Sequence, residues 1–176
     1  MDNAQQALDY LQGNKVLLNA VGLDSQARLW VKPLGKGEHN ENYVFGAFAE
    51  GSQSAKDADV RYVLRVNRVP QPFHSTQVAY EFAALTALEP SGCTPKPLYC
   101  DSSAQSLGKG VLVETFCPGK ELDFDNLRPQ DLQKVAQLMA NVHAVPYGND
   151  CTLFCPKDPL KQLFNECVDR FSVYKG

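Results

Sequence analysis

The sequence predicts an α+β fold in which a strand-rich part precedes a helical part. Three β-like runs, at 28–34, 42–49 and 60–66, come before a helical segment, and two further β-like runs follow it. A Cys-Pro-Gly-Lys connector at 117–120 ends the last run, and only helical patterns occur after it. A run of strands followed by a run of helices is typical of the α+β class.

Composition places the chain among ordinary globular proteins. Hydrophobic residues make up 44% and charged residues 21% of its 176 residues. The net charge of −3 and the pI of about 5.6 give no support for binding nucleic acid or acidic membranes. No apolar run approaches the roughly 20 residues that span a bilayer, and the N-terminus MDNAQQALDY is not a secretory signal. These features predict a cytoplasmic protein with no nucleic-acid and no membrane partner.

The six cysteines raise the question of disulfides or a metal site. The sequence contains no CxxC pair, and reduced thiols are the natural state of a chain without a signal peptide. Cys151, Cys155, Cys167 and His143 could be assembled into a zinc set, but their spacing fits no known zinc framework. We therefore expect no metal site from these residues.

The first third of the chain alternates helical and extended patterns. Residues 3–11 have the periodicity of a short amphipathic helix, whereas the apolar segment 16–21 fits either helix or strand. The first β-like run contains Pro33, which favours an edge strand or a strand end. The polar segment 50–59 has no apolar anchor and is predicted to form the tip of a hairpin.

Two glycines, Gly35 and Gly37, separate the first two β-like runs. Glycine lacks Cβ and permits positive φ, so such a loop can fold closely over a ligand and offer free N–H groups to an anion. Arg65, a cation among the aliphatic residues of the third run, would supply the charge that a polyphosphate needs. The pattern indicates a roof over nucleotide phosphates. A glycine-containing hairpin with an exposed arginine accounts for the same residues equally well.

A helix is predicted from a cap at Ser75 or Thr76 to about Leu88. Glu81 lies on the apolar, inward stripe of this helix. A carboxylate that faces a core is costly unless a cation meets it, and Arg65 on the preceding strand is the obvious partner. The alternative is that Glu81 only borders the stripe and reaches solvent.

The remaining elements are two strands and two helices. The run at 98–101 is short, whereas the run at 110–116 is almost continuously apolar, as in a strand buried on both faces. Helices are predicted from Pro129 to His143 and from Pro159 onward; each has one apolar face, and that of the second helix is expected to turn inward. No internal repeat or low-complexity tract is visible.

Six motifs occur in a fixed order along the chain: GKGEHNENYVF (35–45), YVLRVN (62–67), YEFAALTAL (80–88), TPKPLYCD (94–101), GVLVETFCPGKEL (110–122) and LMANVHAVP (138–146). Together they resemble the amino-terminal half of the aminoglycoside phosphotransferase family, small-molecule kinases related to choline kinase and to protein kinases. The resemblance implies a protein-kinase-like N-lobe at 1–113, with a five-stranded antiparallel sheet plus a helix. It further implies a hinge at 114–120 and the first helices of an incomplete, helical C-lobe at 121–176.

The resemblance also implies an ATP site. The loop from Gly35 to Asn42 would cover the phosphates, Arg65 would contact them, and Glu81 would orient Arg65. At the hinge, adenine would bond to the Glu114 carbonyl and the Phe116 amide. The residues implied for nucleotide binding are Gly35, Gly37, Asn40, Asn42, Val63 (in the adenine roof), Arg65, Glu81, Glu114 and Phe116.

The sequence departs from the family where catalysis is concerned. The family's catalytic Asp lies in a His-Gly-Asp motif that precedes a metal-binding Asn and Asp, and this sequence contains no His-Gly-Asp. We therefore expect a truncated, nucleotide-binding portion of an ATP-dependent small-molecule kinase, with no catalytic residue of its own and inactive alone. Mg²⁺ is expected to bind only with the missing C-lobe.

Two alternatives to this interpretation stay open. The chain could be a non-catalytic, kinase-like binding module, or a hairpin-rich domain that binds no nucleotide. Helix faces that a C-lobe normally covers would be exposed, so self-association is expected. The expected partners are a nucleotide and, in the complete protein, a small-molecule acceptor with an alcohol group.

Overall fold

A computed structural model describes residues 3–37, 39–52, 54, 60–68, 77–103, 107–108, 110–120, 122–146 and 158–173. Within these residues the chain forms five α-helices and five β-strands. The helices are α1 (Asn3–Gly13), α2 (Lys15–Ala20), α3 (Gln77–Leu88), α4 (Pro129–His143) and α5 (Pro159–Val173). The strands are β1 (Leu29–Lys36), β2 (Asn40–Ala47), β3 (Tyr62–Asn67), β4 (Pro97–Asp101) and β5 (Gly110–Thr115).

The five strands form one sheet in the order β1-β2-β3-β5-β4, and all neighbouring strands are antiparallel. The predicted α+β class and five-stranded antiparallel sheet are therefore confirmed. Pro33 lies on β1, which is an edge strand, as expected for a residue that has no N–H to donate.

The two faces of the sheet have different characters because side chains alternate along each strand. One face packs on α1 and α2, and we call it the core face; its residues include Phe45, Leu64 and Val113, all fully buried. The opposite face carries Arg65 and Asn67, whose side chains contact α3, and we call it the α3 face. The hydrophobic core of the sheet thus lies on the side of α1 and α2, and the polar side chains of Arg65 and Asn67 lie on the side of α3.

The segment 16–21, which the sequence left open between helix and strand, lies mostly in α2. Its helix is capped by the side chain of Asn14, which accepts a hydrogen bond from the N–H of Leu17 at 3.0 Å. Leu17 and Leu18 are fully buried against the core face together with Leu11 of α1. The amino-terminal helices are therefore an integral part of the sheet's core.

Three predictions fall on residues that the structure does not describe: the helix cap at Ser75 or Thr76, most of the hairpin tip (53 and 55–59), and the thiols of Cys151 and Cys155. Among the described residues, no group of three or more His, Cys, Asp or Glu side chains is placed to hold a metal ion. No helix in the described ranges is long and apolar enough to cross a membrane.

The inward apolar face predicted for α5 is wrong for the residues that the structure describes, and the apolar face of α4 is exposed as well. Leu132 and Met139 of α4 are about half exposed, and Leu160 and Phe164 of α5 are 78% and 68% exposed. The periodicity identified both helices correctly, but an amphipathic pattern does not say what covers its apolar side. No described part of the chain buries these side chains.

Helix α3 approaches β5 closely at Gly110. A Cβ on Gly110 would lie 2.6 Å from Cγ2 of Val78, well below a van der Waals contact. Val78 is buried, and a β-branched side chain in a helix has little rotamer freedom. Glycine at this position therefore sets the height of α3 above the sheet.

Replacing Gly110 by alanine is expected to lower the free energy of unfolding by about 1–3 kcal/mol, because the added methyl overpacks the contact with Val78. Urea unfolding followed by circular dichroism measures the effect. The double variant Gly110→Ala/Val78→Ala should lose less stability than the sum of the single variants. Strict additivity would mean that this contact does not limit the approach of α3.

Candidate functional site

The hairpin between β1 and β2 is tighter than the sequence suggested. Strand β1 extends to Lys36 and β2 begins at Asn40, so only residues 37–39 connect them. The N–H of Gly37 donates to the carbonyl of Asn40 at 2.8 Å and closes the turn. A register shift in the β1–β2 ladder lies between Pro33 and Gly35.

This geometry describes the glycines of the predicted phosphate-covering loop, and the nucleotide contacts of Gly35 and Gly37 stay a prediction. Among the described glycines, positive φ occurs at Gly22, Gly51 and Gly92, not at either glycine of the hairpin. The Gly37 N–H is used within the turn, so it is not a free anion donor. A Cβ on Gly35 would meet no atom within 4 Å, so neither backbone strain nor internal crowding requires glycine there.

The predicted ion pair between Arg65 and Glu81 is confirmed. Nη2 of Arg65, in the middle of β3, lies 3.2 Å from Oε1 of Glu81 in the second turn of α3. The two side chains are 34% and 24% exposed, so water reaches both. The Nε atom of Arg65 is buried and has no hydrogen-bond partner among the described residues.

Asparagine side chains surround Arg65 on the α3 face. Asn42 lies opposite Arg65 across the β2–β3 ladder, and Asn40 lies opposite Asn67. The side-chain oxygens of these three asparagines are buried without a partner in the described part of the chain. Unpaired buried polar atoms are costly, so this cluster is suited to a polar ligand or to ordered water.

Sequence reasoning did not single out Asn67 or Gln77. Asn67 Nδ2 donates to Gln77 Oε1 at 2.8 Å, and Gln77 Nε2 donates to Glu81 Oε1 at 3.0 Å. The spacing of four residues between Gln77 and Glu81 is a signal that could have indicated this contact. The site therefore contains a connected polar set rather than one isolated ion pair.

An apolar surface adjoins the charged part of the site. Val63 lies two residues before Arg65 on β3, on the same face and about 7 Å away along the strand. Its neighbours across the sheet are Val44 on β2 and Glu114 on β5. Val63 is buried and Val44 half-buried, so apolar side chains lie on this face beside a cation.

Glu114 shares this face with two charged groups. Burial raises the pKa of the Glu114 carboxyl above its ordinary value; nearby Arg65 opposes the rise, and the Glu81 carboxylate adds to it. The folded protein therefore binds this proton more tightly than the unfolded chain does, since unfolding exposes the group to water.

This raised pKa predicts a pH dependence of stability. Because the folded pKa lies above the unfolded one, the contribution of Glu114 to stability is fully present below about pH 4.3 and is lost as the pH rises through the folded pKa. We therefore compare the free energies of unfolding of the wild type and of Glu114→Gln. The wild-type value minus the variant value should fall as the pH rises through the folded pKa of Glu114. A difference that grows with pH would mean that Arg65, not burial, sets the pKa.

The backbone groups predicted for the hinge are engaged in the sheet. The Phe116 N–H donates to the Arg61 carbonyl at 3.1 Å. Hydrogen-bonded pairs alternate in an antiparallel ladder, so Val63 and Glu114, two residues along, also form such a pair. The adenine contacts of Glu114 and Phe116 stay a prediction. The Phe116 N–H would have to leave the β3–β5 ladder to make its contact, whereas the Glu114 carbonyl has a second lone pair.

The next residues at the end of β5 are oriented differently. The backbone N–H of Thr115 faces β4 and donates to the Lys96 carbonyl at 3.0 Å. The Lys96 N–H donates to the Thr115 hydroxyl at 2.9 Å, and the following residue, Pro97, has no N–H. The Thr115 carbonyl therefore receives no hydrogen bond from either residue.

A second charged cluster fixes the hairpin from the core face. Glu41 of β2, only 7% exposed, accepts hydrogen bonds from Nε of Arg68 and from the hydroxyl of Tyr43, both at 2.9 Å. It also accepts from the Asn3 amide of α1 at 3.2 Å. The Arg68 N–H donates to the carbonyl of His39 at 2.9 Å. Arg68 and Glu41, which sequence reasoning missed, therefore hold the hairpin near its tip.

Comparison with known proteins gives one match. The sequence profile of the phosphotransferase enzyme family (APH) matches residues 30–164, which is most of the chain and includes every predicted site residue. Neither a search of the curated proteins nor a search of the solved structures returned a match.

Proposed function

Because the chain belongs to the phosphotransferase enzyme family, we propose that it is the nucleotide-binding portion of an ATP-dependent kinase whose acceptor is an alcohol group of a small molecule. The observation that carries the proposal is the Arg65–Glu81 pair on the α3 face, next to the apolar surface of Val63. A cation beside apolar side chains suits a ligand with one anionic end and one aromatic end.

Each residue has a stated part in this proposal. Arg65 binds phosphate oxygens, to which a guanidinium can donate two parallel hydrogen bonds. Glu81 holds Arg65 in place and balances its charge when no nucleotide is bound. Val63 and Val44 pack against the base, and the Asn42 carboxamide lies beside Arg65 to bond a polar part of the ligand. ATP supplies the phosphoryl group that family kinases transfer.

We place the hinge contacts one residue later than the resemblance implied. The Glu114 carbonyl and Phe116 N–H belong to the β3–β5 ladder. The Thr115 carbonyl and the Cys117 N–H come next along the chain, and Cys117 is exposed. A base held by these two groups would leave the ladder intact.

The chemical step needs groups that this sequence lacks. Without a His-Gly-Asp motif, no residue here is assigned as the base or as a magnesium ligand, and we propose that the chain alone transfers no phosphate. The exposed apolar faces of α4 and α5 support a covering lobe, from the same reading frame or from a second chain.

The composition fits a cytoplasmic location. A non-catalytic nucleotide-binding module is the alternative, and a reading frame that continues into His-Gly-Asp would argue against it.

Thermal shift with ATP and with adenosine, each with and without Mg²⁺, tests the proposal. Both ligands should raise the melting temperature, ATP more than adenosine, and Mg²⁺ should change the shifts little. Binding of a ligand to the folded state alone raises stability by RT ln(1 + [L]/Kd), so about 2.7 kcal/mol is expected at a hundredfold excess over Kd. No shift with either ligand, in the chain and in a form extended by the catalytic lobe, would exclude the nucleotide site.

A further inference from the structure

A second polar contact joins the same two elements as the Arg65–Glu81 pair. It runs from Asn67 on β3 to Gln77, the first residue of α3, and from Gln77 on to Glu81. Asn67 is 2% exposed and Gln77 7% exposed, so this contact is much better shielded from water than the ion pair. It is the buried part of the link between β3 and α3.

The four side chains form a set that the periodicities of strand and helix bring together. Arg65 and Asn67 are two residues apart and share one face of β3, whereas Gln77 and Glu81 are four apart and share one face of α3. One contact fixes the distance between two elements but leaves rotation free. A second contact along the same helix face fixes the rotation of α3 as well.

The chemistry of the donors determines how this set is oriented. Oε1 of Glu81 accepts from Nη2 of Arg65 at 3.2 Å and from Nε2 of Gln77 at 3.0 Å. An ionised carboxylate only accepts, so the Gln77 amide must turn its nitrogen to Glu81 and its oxygen to Asn67. Gln77 thereby holds the Glu81 carboxylate without adding a charge of its own. It therefore does not compete with a bound anion for the positive charge of Arg65.

We propose that Gln77 and Asn67 are positioning residues that hold Glu81, and through it Arg65, in the orientation that binds the phosphates of the nucleotide. The inference rests on the nucleotide-binding function proposed above. An ion pair as exposed as Arg65–Glu81 is weakly ordered by itself, because both long side chains lose rotamer freedom when they pair. The buried amide contact removes that freedom on the Glu81 side before the ligand arrives.

The variant Gln77→Glu keeps the size of the side chain but replaces the donor to Glu81 by a second carboxylate. At pH 8 it should weaken ATP binding by about five- to tenfold and adenosine binding by less than about twofold. Isothermal titration with both ligands gives the two constants. The matched control is Gln5→Glu on α1, where Gln5 Nε2 donates to Asp9 Oδ1 at 2.7 Å with the same spacing but exposed to solvent. This control should change neither constant.

The pH dependence separates positioning from a general loss of structure. Two neighbouring carboxylates raise each other's pKa, and the carboxyl introduced by Gln77→Glu would regain a donor toward Glu81 once it is protonated. The ATP affinity of Gln77→Glu relative to wild type should therefore recover toward pH 5.5. An ATP deficit that is the same at pH 5.5 and pH 8 would overturn the positioning role.

Arg65→Ala in the same titrations distinguishes this inference from the function on which it rests. If Arg65→Ala weakens ATP binding but Gln77→Glu does not, the positioning role is wrong and the phosphate site stands. If wild type binds no nucleotide, or Arg65→Ala binds ATP as tightly as wild type, both proposals fail. If Gln77→Glu does not fold, Gln77→Met replaces it, since methionine has a similar size and lacks the hydrogen bonds to Asn67 and Glu81. Equal losses of ATP and adenosine affinity in Gln77→Met would also overturn the inference.

Discussion

Arg68→Ala is expected to lower the free energy of unfolding by about 3 kcal/mol, because it leaves the buried carboxylate of Glu41 without the guanidinium of Arg68. Glu41 would keep the neutral donors Tyr43 and Asn3. The guanidinium of Arg68 also donates to the carbonyl of Leu107, so the variant loses a contact with the β4–β5 connection as well. Urea unfolding measures the change.

The control for this variant is Arg128→Ala, which removes an arginine–carboxylate pair of the same 2.8 Å separation on the surface of α4. Arg128 is 65% exposed, so its loss should cost less than about 1 kcal/mol. Adding Glu41→Gln to Arg68→Ala should restore part of the lost stability, because a neutral amide is less costly to bury than a carboxylate that has lost its guanidinium partner. Equal effects of Arg68→Ala and Arg128→Ala would show that the Glu41 cluster does not anchor the hairpin.

Arg65→Ala should weaken ATP binding by about ten- to a hundredfold and adenosine binding by less than about threefold, because the lost hydrogen bonds are charge-assisted and go to phosphate alone. Titration calorimetry with both ligands measures the two constants. Arg28→Ala is the matched control, since Arg28 is an arginine outside the site that lies over the ring of Phe48, 4.5 Å from its centre. If Arg65→Ala weakens ATP binding and adenosine binding equally, Arg65 does not bind the phosphates.

Much of the fold could be predicted because each element has a strong local pattern. The Arg65–Glu81 pair was predictable since the period of two in β3 and the stripe of α3 place both charges between the same two elements. Helix α4 begins at Pro129 and ends at His143, the bounds that its Pro and its periodicity predicted. Local patterns thus determined the type of every element except α2, which fitted either helix or strand, and one contact across the site.

The parts that could not be predicted from the sequence depend on register and on distant partners. A shift of a single residue reverses which backbone groups of a strand are free, and no side-chain pattern indicates whether Phe116 or Cys117 leaves the ladder first. Glu41 and Arg68 are 27 residues apart, and nothing in the sequence marks them as partners. The conformation of Gly35 and Gly37 could not be predicted, because glycine permits positive φ without requiring it.

Methyl NMR during an ATP titration tests most directly whether the α3 face binds the nucleotide. Val63 and Val44 lie on that face, whereas Val66 and Val113 of the same sheet lie on the core face and serve as internal controls. We predict saturable shifts of the Val63 and Val44 methyl signals with ATP and with adenosine, and much smaller shifts of Val66 and Val113. Saturable shifts of Val66 and Val113 with Val63 and Val44 unchanged would place the ligand elsewhere and contradict the account.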